Sequence, residues 1–144
     1  MYIIYNFLVL CVCCLFVLPY FLYRCICEAG FTTRMRQSLG GLRDEEIASV
    51  AQKDCIWIHG ASVGEIVATS PLVKEIRKAY PDSPILVSAV TVGGYNMAKQ
   101  IIQEADAIIY FPLDMPFVSE SFVKRIQPRI FLSLIHISEP TRRS

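Results

Sequence analysis

From Met1 to Tyr23 the chain carries no charged side chain, and Asn6 is the only strongly polar one. As a single α-helix this run would be roughly 34 Å long, enough for a hydrocarbon core of about 30 Å. Thirteen of its residues are Leu, Ile, Phe or Val. Each favours insertion by roughly 0.3–0.6 kcal/mol, so the sum outweighs Asn6 and a kink at Pro19. A cleaved leader would need a basic start, a shorter apolar run and a small-x-small cleavage site, and this run has none of them. Tyr2, Tyr5, Tyr20 and Tyr23 bracket it as interfacial aromatics do. The expectation is an uncleaved transmembrane anchor over residues 1–24. Arg24, Arg34, Arg36 and Arg43 all follow it, and no basic side chain precedes it. The positive-inside rule then puts the remainder on the cytoplasmic face.

The anchor also explains the composition. Hydrophobic residues make up 53% of the chain and charged ones 19%, which excludes a disordered polypeptide. With 14 Lys and Arg against 13 Asp and Glu, there is no basic field to grip nucleic acid. Five of the six cysteines fall within the first 27 residues, where they act as small hydrophobes and cannot staple a fold. Cys55 is then a free core thiol in a reducing compartment. Cys25-x-Cys27 and the lone His59 are poor ligand sets, so no metal is expected.

Residues 25–52 read as a basic membrane-proximal connector, with Phe31–Gly40 a solvated collar against anionic lipid headgroups. From Cys55 onward short apolar runs alternate with helical patterns. Strands are expected at Cys55–His59, Pro84–Val90, Ala107–Phe111 and from Arg129 to Leu132. Helices are expected at about 63–80, 94–104 and 116–126. Strands alternating with helices of this length imply right-handed βαβ units on a parallel sheet, a Rossmann-like half over residues 53–132. Ligands in such sheets lie beyond the C-terminal strand ends. The loops His59–Glu65, Thr91–Gly94 and Pro112–Pro116 are therefore the places to look.

His59-Gly-Ala-Ser-Val-Gly-Glu65 supports several readings. Ser62-x-x-Glu65 fits a helix capping box. Gly60-Ala-Ser-Val-Gly64 fits the G-x-S-x-G of a hydrolase nucleophile elbow, but the only later histidine is His136. Gly60, Ala61 and Gly64 would let a phosphate approach a helix N-terminus, although the G-x-G-x-x-G fingerprint is absent.

The segment Ile58–Glu65, behind an apolar run and a basic stretch, resembles the bacterial 3-deoxy-D-manno-octulosonic acid (Kdo) transferases. Phe31, Arg34 and Gly40 match that family's aromatic-basic-Gly segment. Pro71-Leu72 and Tyr80–Val87 match its first helix and second strand, and Thr91 and Gly94 its second loop. Phe111–Pro116 matches its third loop, and Gln127-Pro-Arg129 the approach to the next strand. The resemblance covers about residues 2–132. Ser38 departs from it, standing where the family usually has a basic residue. So does the end of the chain: residues 133–144 replace an acidic motif and resemble translated sequencing-adapter read-through.

The resemblance implies a GT-B glycosyltransferase of lipopolysaccharide core biosynthesis, here without its C-terminal donor domain. It implies transfer of Kdo from CMP-Kdo to a lipid A precursor (lipid IVA), with inversion and with no cofactor. Glu65 would be the general base. Arg34, Ser62, Gly64, Thr91 and Gly94 would contact the acceptor, and Arg36 would join Arg34 on its phosphates. The location implied is the inner membrane, with the catalytic part on the cytoplasmic side. The alternative is a non-catalytic, membrane-anchored Rossmann-like module.

Overall fold

The computed structural model describes residues 2–17, 19–20, 22–23 and 30–134. The chain divides into two compact units, one ending at Thr33 and the other beginning at Arg34.

In the first unit, helix α1 covers Tyr2–Val12 and passes into a π-helical turn at Cys13–Val17. The expected span is described only in part: residues 19–20 and 22–23 are helical, while 18, 21 and 24 lie outside the described residues. Among the described residues no helix is long and apolar enough to cross a membrane. Pro19 has no N–H and its ring clashes with the carbonyl four residues back, which fits the widened π-helical turn before it. Tyr2, Tyr5, Leu15 and Phe16 of this unit are all exposed.

The second unit is the expected α/β half. Helix α2 (Phe31–Ser38), which belongs to this unit from Arg34 onward, and α3 (Asp44–Ile47) lead into strand β1 (Ile56–Gly60). Then follow α4 (Val63–Ala79), β2 (Ile85–Ala89), α5 (Val92–Ile101), β3 (Ala107–Tyr110), α6 (Pro116–Ile126) and β4 (Ile130–Ser133). All strand pairs are parallel, in the order β3-β2-β1-β4. The first two crossovers step in one direction and the third returns past β1. Right-handed connections therefore put α4 and α5 on one face and α6 on the other.

Alternation along the strands feeds two cores. Ile56, Ile58, Ile85, Val87 and Ala89 pack with Ile66, Val73, Ala98 and Ile102 of α4 and α5. Trp57, Leu86, Ala107 and Ile109 pack with Phe122 and Ile126 of α6, and with Leu42, Ile47 and Val50. Those last three residues correct the expected solvated connector. From Arg34 onward the stretch belongs to the sheet unit, because burying each of these side chains contributes about 1.5–3 kcal/mol. Cys55 is buried as expected, and burial pushes its thiol up to about 11.

Residue 133 was set outside the fold by its sequence, yet Ser133 pairs with His59 in the parallel ladder. Leu134 N–H donates to His59 O at 2.9 Å. Ladder bonds come from backbone, so β1 recruits this stretch whatever its side chains. The remainder of the expected tail, residues 135–144, lies outside the described residues.

Candidate functional site

Parallel strands end at one edge, and ligands favour the point there where the strand order reverses. Here that point is β1, flanked by β2 on one side and β4 on the other. The turn leaving β1 carries Ser62, Gly64 and Glu65.

Ser62 caps α4. Its Oγ accepts from the Glu65 N–H at 3.3 Å and donates to Glu65 Oε1 at 3.2 Å. The other carboxylate oxygen, Oε2, accepts from the Ala61 N–H at 2.6 Å. A capping-box carboxylate ordinarily reaches back to the cap residue's own N–H. This one reaches a residue further, which draws it toward the end of β1. Gly60 makes that possible: a Cβ there would stand 3.0 Å from Ile66 Cδ1 and 3.4 Å from Glu65 Cβ. The two bonds occupy two of the roughly four acceptor directions of a carboxylate, so Glu65 keeps capacity to take a proton from an incoming hydroxyl. It opens on a hollow of about 380 Å³ lined by Ser62, Gly64, Glu65 and Ala68.

The second loop stands beside the first. Thr91 caps α5, its Oγ1 accepting from the Gly94 N–H at 3.0 Å. A Cβ on Gly94 would lie 3.0 Å from Thr91 Oγ1 and 3.6 Å from the Ser62 carbonyl carbon. Two helix N-termini thus sit shoulder to shoulder. Ser62, Gly64, Glu65, Thr91 and Gly94 are brought together, although Gly94 is itself buried and serves the close approach. Arg34 lies apart on α2, half-buried, with no ion pair or hydrogen bond among the described residues.

Arg36 is not available for the phosphate role expected of it. Its guanidinium pairs with Glu46 at 2.5 and 3.2 Å and also donates to Gly41 O. Burial pushes the Glu46 carboxyl up. Hydrogen bonds from Arg36 and the Arg43 N–H, with the Arg36 charge, outweigh it and bring the group down to about 2. Ser38, the departure from the family pattern, is buried and useful as a small hydroxyl. Its Oγ donates to Phe111 O at 3.0 Å, and its carbonyl accepts from the Leu113 N–H at 2.9 Å.

Beneath the edge is a polar group that sequence reasoning missed. The Trp57 indole N–H donates to Ser88 Oγ at 2.8 Å, and His59 Nδ1 lies 3.1 Å from the same oxygen. The His59 ring packs on Phe111 at 4.0 Å. Burial holds its imidazole below the usual range, against the opposite pull of Ser88 and Glu65. Trp57 and His59 at alternate positions were visible as one face of a strand; their partner, 29 residues beyond His59, was not. This arrangement also disfavours the hydrolase reading. A nucleophilic serine needs a histidine on its hydroxyl, whereas the bonds of Ser62 are to Glu65 and His59 is turned toward Ser88. His136 is outside the described residues.

The family model described as 3-deoxy-D-manno-octulosonic-acid transferase (kdotransferase) matches residues 33–136, four residues beyond the end expected from the sequence. The 3-deoxy-D-manno-octulosonic acid transferase of Haemophilus influenzae is 35% identical over 83 residues, covering 58% of this chain and 19% of that protein. The protein of the same name from Chlamydophila psittaci is 29% identical over 119 residues, 80% of this chain and 26% of that one. A protein named as the probable mitochondrial form in Arabidopsis thaliana is 26% identical over 77 residues, 54% of this chain and 17% of that one. The chain thus spans about a fifth to a quarter of the length of the curated relatives it matches. A family match over most of the described sheet unit, on a parallel sheet whose switch-point turn carries the Ser62–Glu65 motif, places this chain in the 3-deoxy-D-manno-octulosonic-acid transferase family.

Proposed function

We propose that this chain is the acceptor-side half of an inverting glycosyltransferase that moves Kdo from CMP-Kdo to a lipid A precursor (lipid IVA) in lipopolysaccharide biosynthesis. The observation that carries this reading is the Glu65 carboxylate, held by the Ala61 N–H and the Ser62 hydroxyl at the switch point of the sheet. In the reaction an acceptor hydroxyl attacks the anomeric carbon of Kdo, Glu65 takes its proton, CMP departs with the bonding pair, and the configuration inverts. No cofactor takes part. The adjoining N-termini of α4 and α5, with Ser62, Gly64, Thr91 and Gly94, face the acceptor and favour its negative charge. Arg34, with no ion pair or hydrogen bond among the described residues, suits bidentate contact with an acceptor phosphate. The donor binds on a further domain that the relatives' extra length accommodates.

The apolar segment 2–23 anchors the chain in the bacterial inner membrane, with the sheet unit on the cytoplasmic side. The exposed side chains of Tyr2, Tyr5, Leu15 and Phe16 support this, since they call for an apolar surrounding. An anchored enzyme searches two dimensions for a lipid acceptor at raised effective concentration.

The test is Glu65→Gln in the gene extended to the length of its relatives. Glutamine retains the size and can still accept the Ala61 bond, but it cannot take a proton. The turnover number should fall by about 10²–10⁴, with acceptor affinity and melting temperature nearly unchanged. Ser62→Ala is the complementary variant: it should cost about 1 kcal/mol of stability, as loss of a cap does. Near-parental turnover in the Glu65→Gln enzyme would remove the base from Glu65.

A further inference from the structure

The proposed chemistry draws on the turn after β1 and leaves one side chain at the end of that strand unused. His59, the penultimate residue of β1, is only 7% exposed. Its ring lies 4.0 Å from that of Phe111 and is stacked at 6.3 Å on Phe131. Nδ1 is 3.1 Å from Ser88 Oγ, whereas Nε2 has no hydrogen-bond partner among the described residues. A polar atom of so buried a ring is costly to leave unpaired. The part His59 plays in the fold ends at Nδ1.

Ser88 decides which nitrogen carries the proton. The Trp57 indole can only donate, and it does so to Ser88 Oγ at 2.8 Å. The Ser88 hydroxyl then has its own hydrogen to place, and His59 Nδ1 is the acceptor within reach among the described residues. Nδ1 therefore accepts, and in the neutral ring Nε2 carries the N–H. Burial holds the imidazole below its usual range and so favours that neutral form. The result is a fixed, uncharged donor at the C-terminal edge of the sheet. Two residues further on is Ala61, whose N–H holds Glu65.

We infer that His59 is a further binding residue for the acceptor, its Nε2–H donating to a sugar hydroxyl at the edge that carries Glu65. The inference rests on the acceptor reading given above, and the experiment separates the two. An uncharged donor suits a hydroxyl, whereas the charge of a phosphate is better met by helix N-termini or a guanidinium. The two side chains are also complementary. An ionised Glu65 can only accept, this Nε2–H can only donate, and the hydroxyls of a sugar do both.

The test uses the full 144-residue chain in detergent micelles, with heavy-nitrogen histidine and His136→Gln to leave one imidazole. Long-range proton–nitrogen correlation spectra at neutral pH should show Nε2 protonated and Nδ1 bare. A proton on Nδ1 instead overturns the inference. The lipid A precursor is then titrated in, with the amide signals of Ser62 and Gly94 reporting its arrival at the adjoining loops. Movement of Nε2 together with those amides supports the contact. Movement of the amides alone keeps the acceptor reading and overturns the role of His59. Movement of Nε2 alone keeps the donor and removes the acceptor from the two loops; movement of neither overturns both. An equal response to inorganic phosphate makes the ring an anion contact and overturns the hydroxyl assignment. Two variants check the affinity. His59→Asn keeps an acceptor near the Nδ1 position but no donor at Nε2, and should weaken binding about three- to tenfold, the scale of one hydrogen bond. His59→Gln carries an amide N–H at the Nε2 position and should bind within about twofold of the parent. Equal affinity in the two variants, whether lost or kept, would leave His59 a structural residue only.

Discussion

Glu65 and Ser88 show how much one side chain can organise. Glu65 is at once the third residue of a helix and the group that closes the turn onto β1 through Ala61. Ser88 receives the Trp57 N–H and meets His59 Nδ1, so one hydroxyl accounts for both buried polar atoms. An indole N–H can only donate, which leaves the Ser88 proton free to serve the imidazole. Ser88→Ala should strip both groups of their partner inside the sheet. The expected loss is about 2–4 kcal/mol in urea unfolding followed in mild detergent, since each stranded polar group costs about 1–3 kcal/mol. A change within about 0.5 kcal/mol, the scale of an ordinary surface substitution, would show that water replaces the hydroxyl there.

At the scale of elements, α2 and α3 change role between sequence and structure. As a string, Phe31 to Gly40 carries Arg34 and Arg36 and reads as a basic collar beside an apolar run. Folded, Arg36 of α2 and Glu46 of α3 form a two-point pair with side chains 29% and 24% exposed. That pair staples the stretch over the sheet face carrying Trp57. The consequence is a pH dependence whose sign is set by Glu46. Its carboxyl sits at about 2 in the folded chain against an ordinary 4.5. The unfolded chain therefore binds the proton more readily, and stability gained above 4.5 is lost as pH falls from 4.5 toward about 2. Glu46→Gln should flatten that part of the stability curve and cost about 1–2 kcal/mol at neutral pH. An unchanged acid limb in urea midpoints between pH 5 and pH 2 would assign the dependence to other carboxylates (the interval being about the range in which such groups titrate).

For the whole molecule, the limit set by the proposed function is that donor and acceptor must be held together. Orienting a donor against an acceptor supplies about 7–11 kcal/mol of a two-substrate barrier, and this chain spans about a fifth to a quarter of its relatives' length. The chain alone should therefore show no transfer when given CMP-Kdo and the lipid A precursor, while the extended chain should transfer. Transfer of radiolabelled Kdo by the 144-residue chain would mean that the donor binds the sheet unit itself.

The sequence alone determined the alternating β and α elements, the parallel sheet, and the turn from His59 to Glu65 as the place to look. Those features are local: hydrophobic period, capping residues and small residues act over a few positions, and the string displays them directly. It also carried the family resemblance. Three things were decided only by tertiary structure. The use of Leu42, Ile47 and Val50 as core depends on a sheet face formed by strands far along the chain. The diversion of Arg36 to Glu46 depends on a turn that brings two helices together. The Trp57–Ser88–His59 group depends on parallel register, which sets His59 opposite Ser88 across β1 and β2. In each case the partner is supplied by packing between separated segments, and one-dimensional spacing carries no record of that.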